Sequence, residues 1–397
     1  IDQILLTALQ VGKYHFRRFN FRNSLLILDE FHLLTPQMIG ALKAVFEVLG
    51  KYYNLRTVFM SATPSYHYIE ELKKIFNKFE IEIFDLSREY KNLSRHRISI
   101  EDCDVFEFVK DNDKLRSKID EGKRILFILN TVDRAIKLYD ELKNLARNKK
   151  VLIIHSRFTY KDRSSKEEEI ATSTILVATQ VAEVSLDISF DILVTEIAPL
   201  PALIQRFGRV NRYGERAREI NVWICKKMES PLPYLDLEIK WTEGPLERIR
   251  NNIEKKGEFV YLESLKNYEF NWGDINRYFN DFKNSIKSLN LFFATNLSLE
   301  EIQKKFGREI GVPVISSLHK DLVRDIAKTY QEGGNDYVKR RQLLAEIKQY
   351  VIPIPLPYFH QLRKMGECYW DEEINYYVVG GEKCRYSHET GLKMKKD

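Results

Sequence analysis

Between residues 25 and 225, short apolar runs alternate with amphipathic stretches at helical spacing. A run of four or more apolar residues without polar alternation suits a strand buried on both faces, and parallel sheets flanked by helices bury strands in that way. The chain is therefore expected to be α/β. The expected strands are residues 24–28, 57–60, 124–129, 151–155, 174–178, 192–195 and 220–225. Residues 37–49, 132–145 and 202–210 carry apolar side chains every three or four positions, as helices facing a sheet do. Residues 85–123 are more charged and less regular, so they read as a connector, with the boundary between two α/β lobes near residues 87–100.

After about residue 230 the texture changes to long polar helical stretches rich in Tyr, Phe and Asn. Pro353, Pro355 and Pro357 alternate with apolar residues, which suits an extended edge segment or polyproline II and excludes a helix or a central strand there. The last forty residues read as a hairpin with aromatic alternation. Tyr358, Phe359, Tyr369, Trp370, Tyr376 and Tyr377 either pack this region's own core or offer stacking surfaces to single-stranded bases.

With 397 residues and 44% hydrophobic content, two or three domains are expected, each able to bury a core. The four cysteines form no CxxC pair and the eight histidines sit in no zinc-ligand spacing, so a reduced protein without structural zinc is expected. No apolar run approaches the ~18 residues of a membrane span and no signal peptide is evident, so a cytoplasmic location is expected. A net charge of +6 is mild for this length. Its local clusters include Arg17, Arg18 and Arg22, and Arg206, Arg209 and Arg212.

Chemistry concentrates in a few motifs. In LLILDEFHLL, residues 25–34, Asp29 and Glu30 stand where an apolar strand emerges at its carboxyl end, the place where open α/β sheets bind ligands. Two adjacent carboxylates there can divide labour, one holding Mg²⁺ through water and the other activating a water for attack on a phosphate. Alternatively, they are a solvated strand end. Ser61, Ala62 and Thr63 follow another apolar strand and either contact those carboxylates or cap the next helix. Further on, Gln205, Arg209 and Arg212 are spaced i, i+4 and i+7, one polar stripe if a helix runs on from Pro201, with Leu203, Phe207 and Val210 on the apolar side. Planar guanidinium groups on such a stripe suit phosphate oxygens that gain charge in a transition state.

DEFH, SAT, HSRF followed by DR, VATQVxExSLDIxFD and QRxGRxNR, in this order, resemble the helicase core of the CRISPR-associated helicase-nuclease family of type I interference complexes, a branch of superfamily 2. The resemblance is strong over residues 1–225 and loose beyond. It implies tandem RecA-like parallel-sheet domains, the first incomplete, followed by a mixed α+β accessory domain, divided at residues 1–90, 91–228 and 229–397. It makes Asp29 the Mg²⁺-associated carboxylate and Glu30 the hydrolytic base. His32, Ser61 and Thr63 become ATP-side coupling residues, Asp187 a nucleotide-sugar contact, Gln205 a nucleotide-side contact, and Arg209 and Arg212 arginine fingers. His155, Ser156, Arg157 and Thr179 become nucleic-acid backbone contacts. The implied cofactors are ATP and Mg²⁺. The implied partners are single-stranded DNA, a guide RNA-protein interference complex and an HD nuclease domain or subunit. The implied activity is ATP-driven translocation along DNA in antiviral defence.

Two features of that family are missing from these residues. Gly12-Lys13, Gly50-Lys51 and Gly122-Lys123 are followed by Tyr, Tyr and Arg, so no GxxxxGK[ST] phosphate loop is present, and no histidine is followed by Asp as in an HD nuclease. The chain is accordingly expected to be the carboxyl-terminal part of a helicase polypeptide, unable to hydrolyse ATP without an upstream segment. Two other readings stay open at this level: a different superfamily 2 helicase acting on DNA or RNA, and a non-catalytic nucleic-acid-binding or scaffolding subunit.

Overall fold

The computed structural model describes residues 2–31, 34–61, 66–84, 93–184, 186–214, 216–266, 268, 273–289, 295–306, 311–332 and 336–394. The chain divides into two compact units, Ile1–Leu86 with Leu265–Ile310 and Ser87–Ser264 with Gly311–Asp397.

In the first unit, β1 (Leu25–Leu28) and β2 (Arg56–Phe59) pair in parallel, with Leu25 opposite Arg56 and Leu28 opposite Phe59. One face of this pair covers a core containing Leu28, Leu42, Phe46 and Phe76. On the other face, Leu25, Ile27 and Val58 are exposed. The helix Pro36–Val45 starts where the sequence predicts: Thr35 Oγ1 accepts the Met38 N–H at 3.2 Å and Pro36 occupies the first turn, where its missing donor costs nothing. Nearly all of this helix is buried, because the helix Ile275–Lys287 packs along it. Gly40 sets their approach. A Cβ at Gly40 would lie 2.9 Å from Phe279 N and 2.9 Å from Tyr278 Cβ, neither of which is the movable end of a side chain. Gly40→Ala is therefore expected to push the two helices apart and cost about 1–2 kcal/mol in a denaturant titration, despite the better helix propensity of Ala.

The second unit is built on a six-stranded sheet whose paired strands all run parallel. Its strands are β3 (Ile98–Asp104), β4 (Ile125–Ile128), β5 (Val151–Ile154), β6 (Ile175–Ala178), β7 (Ile192–Glu196) and β8 (Val222–Lys227), in the order β3-β8-β7-β4-β6-β5. Every residue of β4, β6 and β7 is buried. Accordingly β4, β6 and residues 192–194 of β7 are continuously apolar in sequence, whereas Thr195 and Glu196 at the end of β7 are buried polar groups. β3 corrects the reading of residues 85–123 as a connector. It is an edge strand carrying Glu101, Asp102 and Asp104, so it lacks the apolar signature of the central strands.

Beyond residue 228 the chain contributes to both units. The described residues between 311 and 394 include a mixed sheet, β9 (Val312–Ser316), β10 (Val351–Ile354), β11 (Cys368–Asp371) and β12 (Tyr376–Val379), in the order β10-β9-β12-β11, and a hairpin, β13 (Cys384–Ser387) with β14 (Gly391–Met394). The proline-rich stretch is half as expected. Pro353 does lie in an edge strand, but the helix Leu356–Lys364 follows at once, with Pro357 in its first turn. Proline is tolerated there because first-turn N–H groups have no helical partner anyway. Among the six aromatics, Tyr358 and Phe359 are buried, whereas Tyr369 and Trp370 are each nearly half exposed. Among the described residues, no helix is long and apolar enough to cross a membrane.

Candidate functional site

The acidic pair sits where β1 ends. Asp29 is exposed and Glu30 half-buried. Glu30 has φ of +49°, a left-handed conformation that is strained for a side chain of its size, and Asp29 Oδ1 accepts the Glu30 N–H at 2.9 Å. Both flanks of this turn are tied to β2 and the residues after it: Met60 N–H donates to Leu28 O at 2.9 Å and Phe31 N–H to Met60 O at 3.2 Å. The buried Phe31 ring packs edge-on against Phe59 at 5.5 Å. Asp29 and Glu30 thus leave the carboxyl end of one parallel strand while Ser61, half-buried, leaves the corresponding end of its neighbour. An exposed carboxylate at that place fits a cation held through water, and a half-buried one fits a proton acceptor. His32 and Thr63 lie outside the described residues.

The arginine motif takes a different form from the expected stripe. The helix Leu200–Phe207 stops at Gly208, and Arg209 and Arg212 lie in the turn beyond it. The chain leaves the helix because it pairs with the segment before β7: Phe190 N–H donates to Arg209 O at 3.0 Å, Asn211 N–H donates to Phe190 O at 2.8 Å, and Asn211 takes a φ of +49°. Leu203, Phe207 and Val210 are buried as expected. Gln205 is half-buried on the helix. Arg209 Nη1 donates to Leu186 O at 2.9 Å, and its Nη2 to Glu183 O. Arg212 Nη1 lies 2.9 Å from the exposed Asp187 carboxylate, which also accepts from Tyr213 OH at 3.3 Å. Asp187, Arg209 and Arg212 therefore come together in one place in the second unit.

What holds that place was not singled out in the sequence. Arg206, counted there only as part of a basic cluster, is completely buried. Its Nε donates to Glu183 Oε1 at 2.8 Å, its Nη1 to Thr195 Oγ1 at 2.7 Å and Glu196 O at 3.1 Å, and its Nη2 to Asn130 Oδ1 at 3.0 Å and Tyr234 OH at 3.1 Å. Burial pushes the Glu183 carboxyl up, with the Arg206 and Arg209 guanidinium groups working against the rise. The network continues through Glu196, whose carboxylate accepts from Asn130 N–H at 2.7 Å and from Arg134 Nε at 2.6 Å. A signal for Arg206 did exist: positions 203, 206, 207 and 210 share the helical period, so Arg206 lies on the apolar stripe.

The third group stands at the ends of β5 and β6. His155 follows β5 and is fully buried, its ring stacked on Phe158 at 4.4 Å. Its Nε2 is 3.1 Å from Thr390 O in the β13-β14 turn, and its Nδ1 accepts the Arg157 N–H at 3.2 Å. Burial, helped by the Arg157 charge, lowers its pKa to about 3. Ser156 is exposed. Arg157 Nη1 donates to Asp133 Oδ1 at 2.6 Å, and its guanidinium lies over the Tyr358 ring at 4.2 Å. Thr179, at the end of β6, is buried. Gly391 permits this docking: it has φ of +67°, and a Cβ there would lie 2.6 Å from Arg157 O.

The profile of a family described as "CRISPR-associated nuclease/helicase Cas3, C-terminal" matches residues 121–215, the stretch from before β4 through the arginine turn. A putative CRISPR-associated nuclease/helicase Cas3 of Methanocaldococcus jannaschii is 30% identical over 295 residues, covering 69% of this chain and 37% of that protein. The chain belongs to the CRISPR-associated Cas3 helicase family. Among solved structures, T. fusca Cas3 with ADP superposes with a TM-score of 0.68 at 16% identity, over 99% of this chain and 57% of that one. A chain of a CRISPR RNA-guided surveillance complex before nicking gives 0.65 at 16% identity, over 98% and 59%. The Cas3-like fold, with parallel-sheet RecA-like domains and a mixed accessory sheet, accounts for the six-stranded parallel sheet and the four-stranded mixed sheet of the second unit. The chain spans well under two thirds of the length of these relatives.

Proposed function

We propose that this chain carries the motor chemistry of an ATP-driven DNA translocase of CRISPR interference, acting with a guide RNA-protein complex and an HD nuclease. The observation that supports this most directly is the acidic turn. A strained Glu30 and an exposed Asp29 stand at the carboxyl end of a parallel strand, one strand away from Ser61.

In this reading Asp29 holds Mg²⁺ through its water shell, and Glu30 accepts a proton from the attacking water. The ion, when bound, supplies neutralising charge to the phosphate oxygens. Ser61, with His32 and Thr63, couples the carboxylates to the neighbouring strand. Asp187 and Gln205 contact the nucleotide, and Arg209 and Arg212 release their present partners to meet phosphate charge. Ser156 and Arg157, with His155 and Thr179 behind them, contact the DNA backbone. The phosphate loop has to come from a further segment, since none of the Gly-Lys pairs here has the required form.

The test is a Glu30→Gln variant with that segment supplied. ATP hydrolysis is expected to fall by at least ~10²-fold, as for loss of a general base, while nucleotide binding persists. Turnover at the wild-type rate overturns the assignment. Stimulation by single-stranded DNA, absent with RNA, separates this reading from an RNA helicase, and no stimulation by either supports a scaffolding role.

A further inference from the structure

Three side chains unused by the nucleotide chemistry converge in the second unit. Asp162 lies in the first turn of the helix Tyr160–Glu169, His319 ends the short turn Ser317–His319 after β9, and His388 sits in the turn between β13 and β14. One candidate ligand atom from each lies within 4.8 Å of the other two. We propose that Asp162, His319 and His388 form a binding site for a divalent transition-metal ion, with Zn²⁺ the best match.

Two imidazoles and one carboxylate are borderline to hard donors, and three protein ligands with a water in the fourth position make a common zinc arrangement. Tetrahedral zinc with bonds of ~2.0–2.1 Å places its ligand atoms roughly 3.3 Å apart. His388 Nδ1 is already 3.0 Å from each Asp162 oxygen. The remaining closure, from at most 4.8 Å, is of the size a side-chain rotation supplies, and His388 is exposed enough to make it. The other two ligands are pre-set. His319 is buried, and its Nδ1 lies 2.8 Å from Ser316 Oγ; in the tautomer whose Nδ1–H donates to that hydroxyl, Nε2 carries the lone pair a metal ion needs. A hydrogen bond from the second ring nitrogen to an outer partner is what orients ligating histidines generally. Asp162 has a similar outer support: Tyr386 OH donates to its Oδ2 at 2.5 Å and in turn accepts the Thr159 N–H at 3.0 Å. The nearby Lys161 ammonium is engaged by Tyr350 OH at 3.1 Å.

An ordinary ion pair between Asp162 and His388 accounts for two of the three side chains. It gives no reason for a second imidazole, with its ring centre 5.4 Å from that of His388, to be buried beside them. A metal ion accounts for all three and ties together a helix of the parallel sheet, the mixed sheet at β9 and the terminal hairpin. Linear sequence could not show this, because the three residues come from three distant segments.

Metal-stripped chain is expected to take up one equivalent of Zn²⁺ in calorimetry, with a rise in Tm. Co²⁺ in its place gives the intense visible absorption of a tetrahedral site. His388→Ala, an exposed change that leaves the cores intact, lowers Zn²⁺ affinity at least tenfold and abolishes both the absorption and the Tm rise. Ser316→Ala removes only the outer hydrogen bond and weakens binding by about tenfold, the size of effect typical of that shell. No stoichiometric Zn²⁺ uptake by the wild type, or uptake by His388→Ala reduced less than tenfold, overturns the proposal. ATP hydrolysis plays no part in these readouts, so the site stands or falls independently of the motor reading.

Discussion

Arg206→Met is expected to cost the second unit about 3–5 kcal/mol of stability, the range for removing one partner of a buried ion pair. The arginine is completely buried, and five acceptors depend on it. Glu183, itself only 6% exposed, would be left as a charged carboxylate without its main counter-charge. It would have to take up a proton or draw in water, and either response loses the interaction energy of the pair. Replacing both partners, Arg206→Met with Glu183→Leu, is expected to recover a large part of the loss, because neither charge of that pair is then left buried without the other. The measurement is a denaturant titration of the three variants and the wild type. A single-variant loss under about 1 kcal/mol would show that the arginine is not the anchor of the turn. There is a functional consequence as well: Arg209 is bonded to the Glu183 and Leu186 carbonyls, so loosening Glu183 removes a support of the residue proposed to meet phosphate.

The difference between Arg206 and its neighbours shows what the sequence could and could not display. Burial of a strand by apolar packing is a local property, so β4, β6 and residues 192–194 of β7 are legible as apolar runs. An edge strand needs only one covered face, and β3, with its acidic residues, is indistinguishable from a charged connector. Helix termination by tertiary pairing is likewise non-local. The spacing of Gln205, Arg209 and Arg212 is compatible with a continuous helix, and only the Phe190 backbone, reached across the fold, draws Arg209 and Asn211 out of it. A buried arginine is read from sequence as a surface charge unless the helical period is trusted over the charge. The acidic turn was legible because strand ends expose ligands by construction. The left-handed Glu30 was not, since nothing in the residue type announces it. The metal-ligand cluster was invisible for the opposite reason: each member is ordinary alone, and only the fold makes them a set.

Acid should release the terminal hairpin through His155. Its Nδ1 accepts from Arg157 N–H while its Nε2–H donates to Thr390 O, so the neutral ring is satisfied on both sides and a second proton has no acceptor. The folded-state pKa is about 3, against 6.5 for the ordinary imidazole, with burial the main cause and the Arg157 charge the next. The unfolded chain therefore binds the proton first. Stability from this residue is full above pH 6.5 and is lost as pH falls from there toward 3. The loss is about 2 kcal/mol between pH 7 and 5, and about 3 by pH 4. His155→Gln, which cannot titrate, is expected to be less stable than the wild type at pH 7, because it gives up the ring stacking on Phe158. The stability difference between the two proteins should shrink by that same ~2 kcal/mol at pH 5. Denaturant titrations of both at a series of pH values decide the matter: parallel stability curves would mean that His155 is not held neutral. Because Leu392 N–H donates to Arg157 O at 2.9 Å beside the ring, the first structural sign of protonation should be loss of amide protection at Leu392, ahead of the β4-β6 ladder in the sheet interior.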